Sequence, residues 1–299
     1  MSLSQQDQIE ESDVREEKVG FAPMSDSKVS GTRVLAIVEL FQVVLRHRPM
    51  ILAMALRDLQ SRFAGTLGGV LWTFAHPLAV ISIFYFVFAV GFRSQGPNGI
   101  PFILWFVCGL VPWFFFNETL LAITDSVTRH AYLVKKTIFP SEVLPFVHLT
   151  SGLFPHMIFM LIVVCLLSYL GVPFLVDRFL VLYFLLCTCV LLLGLGWMLS
   201  ACQVFYRDIS HALSIVLNLL FWTTPIVWSP ENIPLEYRSL LFYNPVYYIV
   251  EGYRGLLIFD MVVWPSLWHT AYFWTVAGLT FITGAYVFSR LKPEFADVM

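Results

Sequence analysis

Charge is what this sequence has least of. Only 13% of its 299 residues are Asp, Glu, Lys or Arg, against about 25% in a soluble globular domain, and the mean hydropathy is +0.76. That deficit excludes a soluble domain and predicts an integral membrane protein. Cysteine is sparse as well. The five (Cys108, Cys165, Cys187, Cys189, Cys202) all fall inside apolar runs. They have neither zinc-site spacing nor a disulfide framework, so they read as small apolar residues packed between helices. No G-x-x-x-x-G-K-[ST] loop occurs, which excludes ATP binding by this chain in the usual way, and H-E-x-x-H and C-x-x-C are also missing. The seven histidines are scattered with no recurring Asp or Glu beside them. That argues against a membrane-embedded transferase, and nothing points to a bound metal or to nucleic acid. Within the apolar runs, Glu118 is nearly the only charge. Carriers driven by protons or sodium rely on several intramembrane carboxylates or on broken helices. Energy for any transport is therefore expected from another polypeptide.

What is present comes in helix-length apolar blocks. The first thirty residues are polar and carry Asp7, Glu10, Glu11, Asp13, Glu16, Glu17 and Asp26. They lack the apolar core of a signal peptide, so residues 1–32 read as a disordered acidic tail that is not cleaved. Apolar residues then recur at helical spacing from Val34 to Leu45, and again at Leu52, Leu56, Leu59 and Phe63, with Arg57, Asp58 and Arg62 interleaved. Residues 33–66 are thus expected to form basic amphipathic helix, suited to the membrane interface or to docking a cytosolic partner. A helix needs about 20 apolar residues to cross the hydrocarbon. Charge-free intervals place six spans near 69–92, 102–123, 146–170, 179–203, 211–228 and 267–289. The fold class expected is all-α, with a six-span unit over 67–293 and a cytoplasmic end at 294–299.

Lys and Arg collect on the cytoplasmic side of short loops. The side holding both termini and the basic 125–142 turn carries fourteen of them; the opposite loops carry four (Arg93, Arg178, Arg238, Arg254). Omitting residues 1–30 still leaves eleven against four. Both termini are therefore expected in the cytoplasm. The segment 229–265 is too polar for a plain span and too apolar for a solvated loop. Pro234 and Pro245 bracket two short helical stretches near 235–243 and 246–258. These are expected to dip into the outer leaflet and cap a pore, since irregular backbone is tolerated there when protein or a wet cavity surrounds it.

Several segments carry a resemblance. R-D-L-x-x-R-F at 57–63, L-G-G-V-L-W at 67–72 and H-P-L at 76–78 are followed by G-L-V-P-W-x-F-F at 109–116. Then come L-V-K-K-x-x-F-P-x-E at 133–142, F-Y-R-D-I at 205–209, T-P-I at 224–226 and Y-N-P-V-Y-Y-I-V-E-G-Y-R at 243–254. In this order, over about residues 40–290, they resemble the membrane subunits of type-2 ABC exporters of the polysaccharide export family. O-antigen and teichoic acid permeases resemble the chain more than capsule permeases do; the acidic tail departs from the pattern. The resemblance implies a homodimer of half-transporters in the bacterial inner membrane, paired with two ATPase subunits that bind ATP and Mg, and a lipid-linked polysaccharide as substrate. No cofactor would bind this chain itself, and it would not be an enzyme. It also implies a coupling helix at 126–142. A type-2 exporter of lipids or drugs, or a teichoic acid or capsule export permease, is the alternative.

Roles for residues follow from their chemistry. Leu133 and Phe139 are apolar knobs for a groove on the ATPase, with Lys135, Lys136 and Glu142 setting polarity at its rim. Arg57, Asp58 and Arg62 are expected to support the same docking surface, and Arg207 and Asp208 a second contact. A plain solvated turn and headgroup binding are the competing readings. A sugar path needs surfaces that contact ring C–H faces and also offer hydrogen bonds. Trp72, Tyr85, Trp113, Phe116, Asn117 and Glu118 are the candidates, although aromatics also pack helices and form interfacial belts. At the outer mouth, Tyr243, Tyr247 and Tyr253 are expected to form a gate with Glu251 and Arg254, which lie three apart and share a helix face.

Overall fold

The computed structural model describes residues 42–63, 65, 68–69, 71–135, 139–172, 176–258 and 264–299. The expected acidic tail, the first part of the amphipathic region, Lys136 and the Arg62 side chain lie outside this set. Every regular element among the described residues is helical.

Helix α1 (Arg48–Phe63) precedes α2 (Leu71–Phe84), which continues as a π-helix over Tyr85–Gly91. Helix α3 (Phe102–Thr124) leads into two four-residue turns, α4 (Ser126–Arg129) and α5 (Ala131–Val134). Two long helices follow, α6 (Leu144–Tyr169) and α7 (Val181–Phe205), and then the shorter α8 (Ile209–Thr223). Short α9 (Leu235–Leu241) and α10 (Pro245–Leu257) precede the long α11 (Leu267–Leu291) and terminal α12 (Phe295–Val298).

Among the described residues, five helical stretches are long and apolar enough to cross a membrane: Leu71–Gly91, Phe102–Thr124, Ser141–Tyr169, Val176–Phe205 and Leu267–Val298. The interval expected as a fifth crossing, 211–228, holds α8. Its 15 residues span about 22 Å at 1.5 Å each, short of the roughly 30 Å hydrocarbon. The cause is local. Pro225 disfavours helical backbone in the residue before it, and Thr224 is extended at φ −85°, ψ 128°.

Position within the bundle follows apolar periodicity. Helix α3 is apolar all round, and such a helix belongs in the middle. Phe106, Leu110, Leu120 and Ile123 are all fully buried on it, and it packs against α6, α7, α8 and α10. Helices α7 and α11 form the broadest pair. They cross with backbones in contact, because a Cβ at Gly284 would overlap the Gly194 carbonyl. Helix α1 lies against the start of α6, where Ile51 and Ala55 pack on Val143 and Val147 with Phe139 at the edge. Part of its amphipathic pattern therefore serves a protein contact.

Candidate functional site

Two polar assemblies stand at the opposite ends of α3. The first gathers at its C-terminal end. Asp125 accepts from Arg129 Nη2 at 3.0 Å, one helical turn on, and from the Ser210 hydroxyl at the start of α8. Gln203 on α7 holds the intervening loop from the other side. Its Nε2 donates to the Arg207 carbonyl at 3.1 Å, and its Oε1 accepts from the Ser210 N–H at 3.0 Å. The Glu142 carboxylate pairs with Lys292 near the C-terminus, and its carbonyl accepts from Trp197 Nε1 at 3.3 Å. Asp58 on α1 lies 3.6 Å from His148 Nδ1 on α6, an ion pair whenever that imidazole is protonated. Segments distant in sequence (58, 125–148, 203–210 and 292) thus form one polar layer. Arg57, Lys135, Arg207 and Asp208 remain exposed on it; Leu133 and Phe139 are half-buried.

The second assembly surrounds Arg254 on α10. This side chain is completely buried. Its Nε donates to the Trp105 carbonyl at 3.1 Å, Nη2 to Ile226 at 2.7 Å, and Nη1 both to Pro225 at 2.6 Å and to Glu251 Oε1 at 2.9 Å. The guanidinium also lies 3.7 Å from the Trp105 ring centre. A buried cation is expensive unless paired and hydrogen-bonded; here each guanidinium nitrogen has an acceptor. Gly109 on α3 makes the room, since a Cβ there would sit 2.5 Å from Nη2. Asn244 adds a second tie. It caps α10 by accepting from Val246 N–H at 2.9 Å and donates to Thr224 Oγ1 at 2.8 Å. One arginine thereby clamps α10 to α3 and to the 224–227 reversal.

Beside this clamp, Glu251 opens onto an aromatic cavity of about 200 Å³, walled by Tyr247, Tyr248, Trp264, His269 and Tyr272. Such a cavity can stack an apolar ring face and hydrogen-bond its rim. Tyr253 is buried behind it, its hydroxyl 3.1 Å from His156 Nε2. Tyr243 is exposed, with its carbonyl accepting from the Tyr272 hydroxyl at 3.0 Å.

The expected path residues are not gathered in one place. Trp72 and Tyr85 lie exposed on α2. Trp113 and Phe116 are buried in the core, Trp113 with its ring 5.5 Å from Phe221. Asn117 is half-buried. Glu118 is exposed and lines a small cleft with Phe114, His148 and His156. No cluster of metal-ligating side chains occurs among the described residues. Sequence reasoning missed Asp125, Gln203, Ser210, Lys292 and Trp105. Only the i,i+4 spacing of Asp125 and Arg129 was a readable signal.

Comparison with known proteins places these features. The family described as ABC-2 type transporter matches residues 50–258. The O-antigen export system permease protein RfbA of Klebsiella pneumoniae is 28% identical over 258 residues, covering 81% of this chain and 92% of its own. Its counterpart in Myxococcus xanthus is 27% identical, covering 74% and 84%. The polysialic acid transport protein KpsM of Escherichia coli is 23% identical, covering 67% and 77%.

Proposed function

Because the chain belongs to the ABC-2 type transporter membrane family, we propose that it is the permease subunit of an ATP-driven exporter of lipid-linked, O-antigen-like polysaccharide. It acts as a homodimer in the bacterial inner membrane, with both termini in the cytoplasm. ATP and Mg bind on two copies of a separate ABC ATPase, and the chain itself catalyses nothing. The names of the relatives support the cargo.

The observation that carries the mechanism is the placement of α3. This buried helix has the Asp125 layer at one end and the Arg254 clamp at the other. Its 23 residues make a rod of about 35 Å. The exposed residues of the layer (Arg57, Lys135, Arg207, Asp208) face the ATPase, together with Arg62 and Lys136. Leu133 and Phe139 supply its apolar contacts. Glu142, tied to Lys292, braces the layer rather than reaching outward. Movement imposed there is carried along α3 to Trp105 and shifts the clamp that seats α10. Helix α8 and the residues after it make the sixth crossing; α9 and α10 are re-entrant and close the outer mouth. Tyr243, Tyr247 and Glu251 face that mouth, backed by Tyr253 and Arg254. The second copy and the glycan path lie along α2 and α8, where Trp72, Tyr85 and Trp222 are left uncovered. Glu118 and Asn117 line the entry, with Trp113 and Phe116 supporting its wall.

The test uses inverted membrane vesicles holding the permease, its ATPase and a radiolabelled lipid-linked glycan. ATP is expected to drive uptake, and a proton or sodium gradient alone to drive none. Asp125→Asn is expected to cut uptake about tenfold while leaving the complex assembled. Uptake driven by an ion gradient without ATP overturns the proposal. The polysialic acid transport relatives support a capsule-type glycan as a second reading; the surface polymer lost on gene disruption decides between them.

A further inference from the structure

We propose that the groove bounded by α6, α7 and α10 binds a glycerophospholipid, its phosphate held by Arg178 and one acyl chain laid along the groove.

Two buried arginines in this protein differ in how they are satisfied. Arg254 uses every nitrogen. Arg178, in the turn before α7, is only 4% exposed, yet its Nε and Nη2 have no hydrogen-bond partner among the described residues. No acidic side chain is paired with it among those residues either. A buried cation in that state is costly, and an anion that reached it would relieve the cost. The guanidinium fork matches phosphate in a bidentate manner.

What surrounds Arg178 restricts that anion. It lies in the lining of a cavity of about 250 Å³ walled by Met157, Met160, Leu161, Val164, Leu182 and Leu185. His156 and Tyr253, bonded to each other, lie in its lining. Free phosphate would satisfy Arg178 and leave the apolar wall bare; a plain hydrocarbon would do the reverse. An amphiphile with a phosphate at one end satisfies both. Access is lateral, because Met157, Leu161 and Leu182 are more than half exposed at the lips, on helices long and apolar enough to sit in a bilayer. The volume suits a segment of one straight chain, and the methionines adapt to its path. A glycerophospholipid is the amphiphile present in excess beside such an opening. This site is separate from the Asp125 layer and the Arg254 clamp, and its test does not rest on the export reading.

The experiment uses the full chain purified in neutral detergent, with phosphatidylglycerol, inorganic phosphate and a polyprenyl phosphate as separate probes. Native mass spectrometry counts bound lipid, and thermal unfolding reads the effect. One retained phosphatidylglycerol per chain is expected, with unfolding raised by about 5 °C at a hundredfold excess over Kd. Arg178→Gln and the groove-filling Val164→Trp are expected to lower retention at least tenfold. Arg178→Lys keeps the charge without the fork and is expected to retain part of the lipid. If Arg178→Gln does not fold, the Lys and Trp variants give the same reading. Unchanged retention in both Arg178→Lys and Val164→Trp overturns the proposal. So does an equal shift with inorganic phosphate, or a tenfold preference for polyprenyl phosphate, which would assign the groove to cargo.

Discussion

Arg254 shows how much one residue can organise when it is buried with its charge. Its four acceptors come from α3, from the 224–227 reversal and from its own helix. Losing the guanidinium removes the donor from the Pro225 and Ile226 carbonyls, takes a second donor from the Trp105 carbonyl, and removes the partner of Glu251. Arg254 makes four hydrogen bonds, of which Glu251 shares one, and each hydrogen bond to a charged group is worth about 1.5–3 kcal/mol. Arg254→Gln is therefore expected to lower unfolding temperature sharply. Glu251→Gln, whose side chain keeps 30% exposure, is expected to cost only about 1–2 kcal/mol. Thermal unfolding of the two variants in one detergent checks the ranking; equal losses would mean the carbonyl contacts contribute little. The shared face of Glu251 and Arg254 was readable from their spacing. The carbonyls were not, since backbone acceptors carry no signature in the side-chain sequence. Gly109 illustrates the same limit: it reads as one small residue in an apolar run, and only the fold shows that Arg254 fills the space beside it.

Among elements, the lengths were legible and the contacts were not. Expected boundaries of 102–123, 146–170, 179–203 and 267–289 fall within a few residues of α3, α6, α7 and α11, because an apolar run bounded by charge sets a helix length directly. The pair α7–α11 is different. Both helices are apolar, and in lipid apolar faces alone do not select partners; close approach through small residues does. Gly194 and Gly284 supply that approach. Gly284→Val would push the helices apart over their whole crossing, and overpacking of this kind typically costs about 1–3 kcal/mol. Reduced folded yield and a lower unfolding temperature are expected, with Gly278→Val as the control, since a Cβ at Gly278 meets nothing within 4 Å. Equal behaviour of the two variants would remove the packing argument. The 125–142 turn resisted prediction for another reason. Within the described residues it begins as two four-residue helices broken at His130 (φ −106°, ψ 25°), and its two ends are held from outside it, Asp125 by Ser210 and Glu142 by Lys292.

On the scale of the molecule, the buried area is distributed unevenly. Most of helix α3 is buried, whereas α2 buries only Pro77, and α8 presents Ile215, Val216, Leu219 and Trp222 outward. These uncovered faces are where the proposal puts a second copy. Trp222→Cys is expected to form a disulfide between two chains in membranes under mild oxidation, while the native Cys165, exposed on α6, is expected to stay monomeric. Crosslinking through Cys165 in place of position 222 would relocate the interface. Composition alone determined that the chain is a multi-pass helical membrane protein, because scarcity of charge and the length of apolar runs are properties of the linear string. The order of its motifs carried the family. Tertiary structure decided which helix stands in the middle, which polar residues from four distant segments meet around Asp125 and Glu142, and that one arginine is saturated while another is not. Those outcomes depend on which surfaces touch, and hydrogen bonds to backbone carbonyls and close approaches at glycine exist only once the helices are assembled.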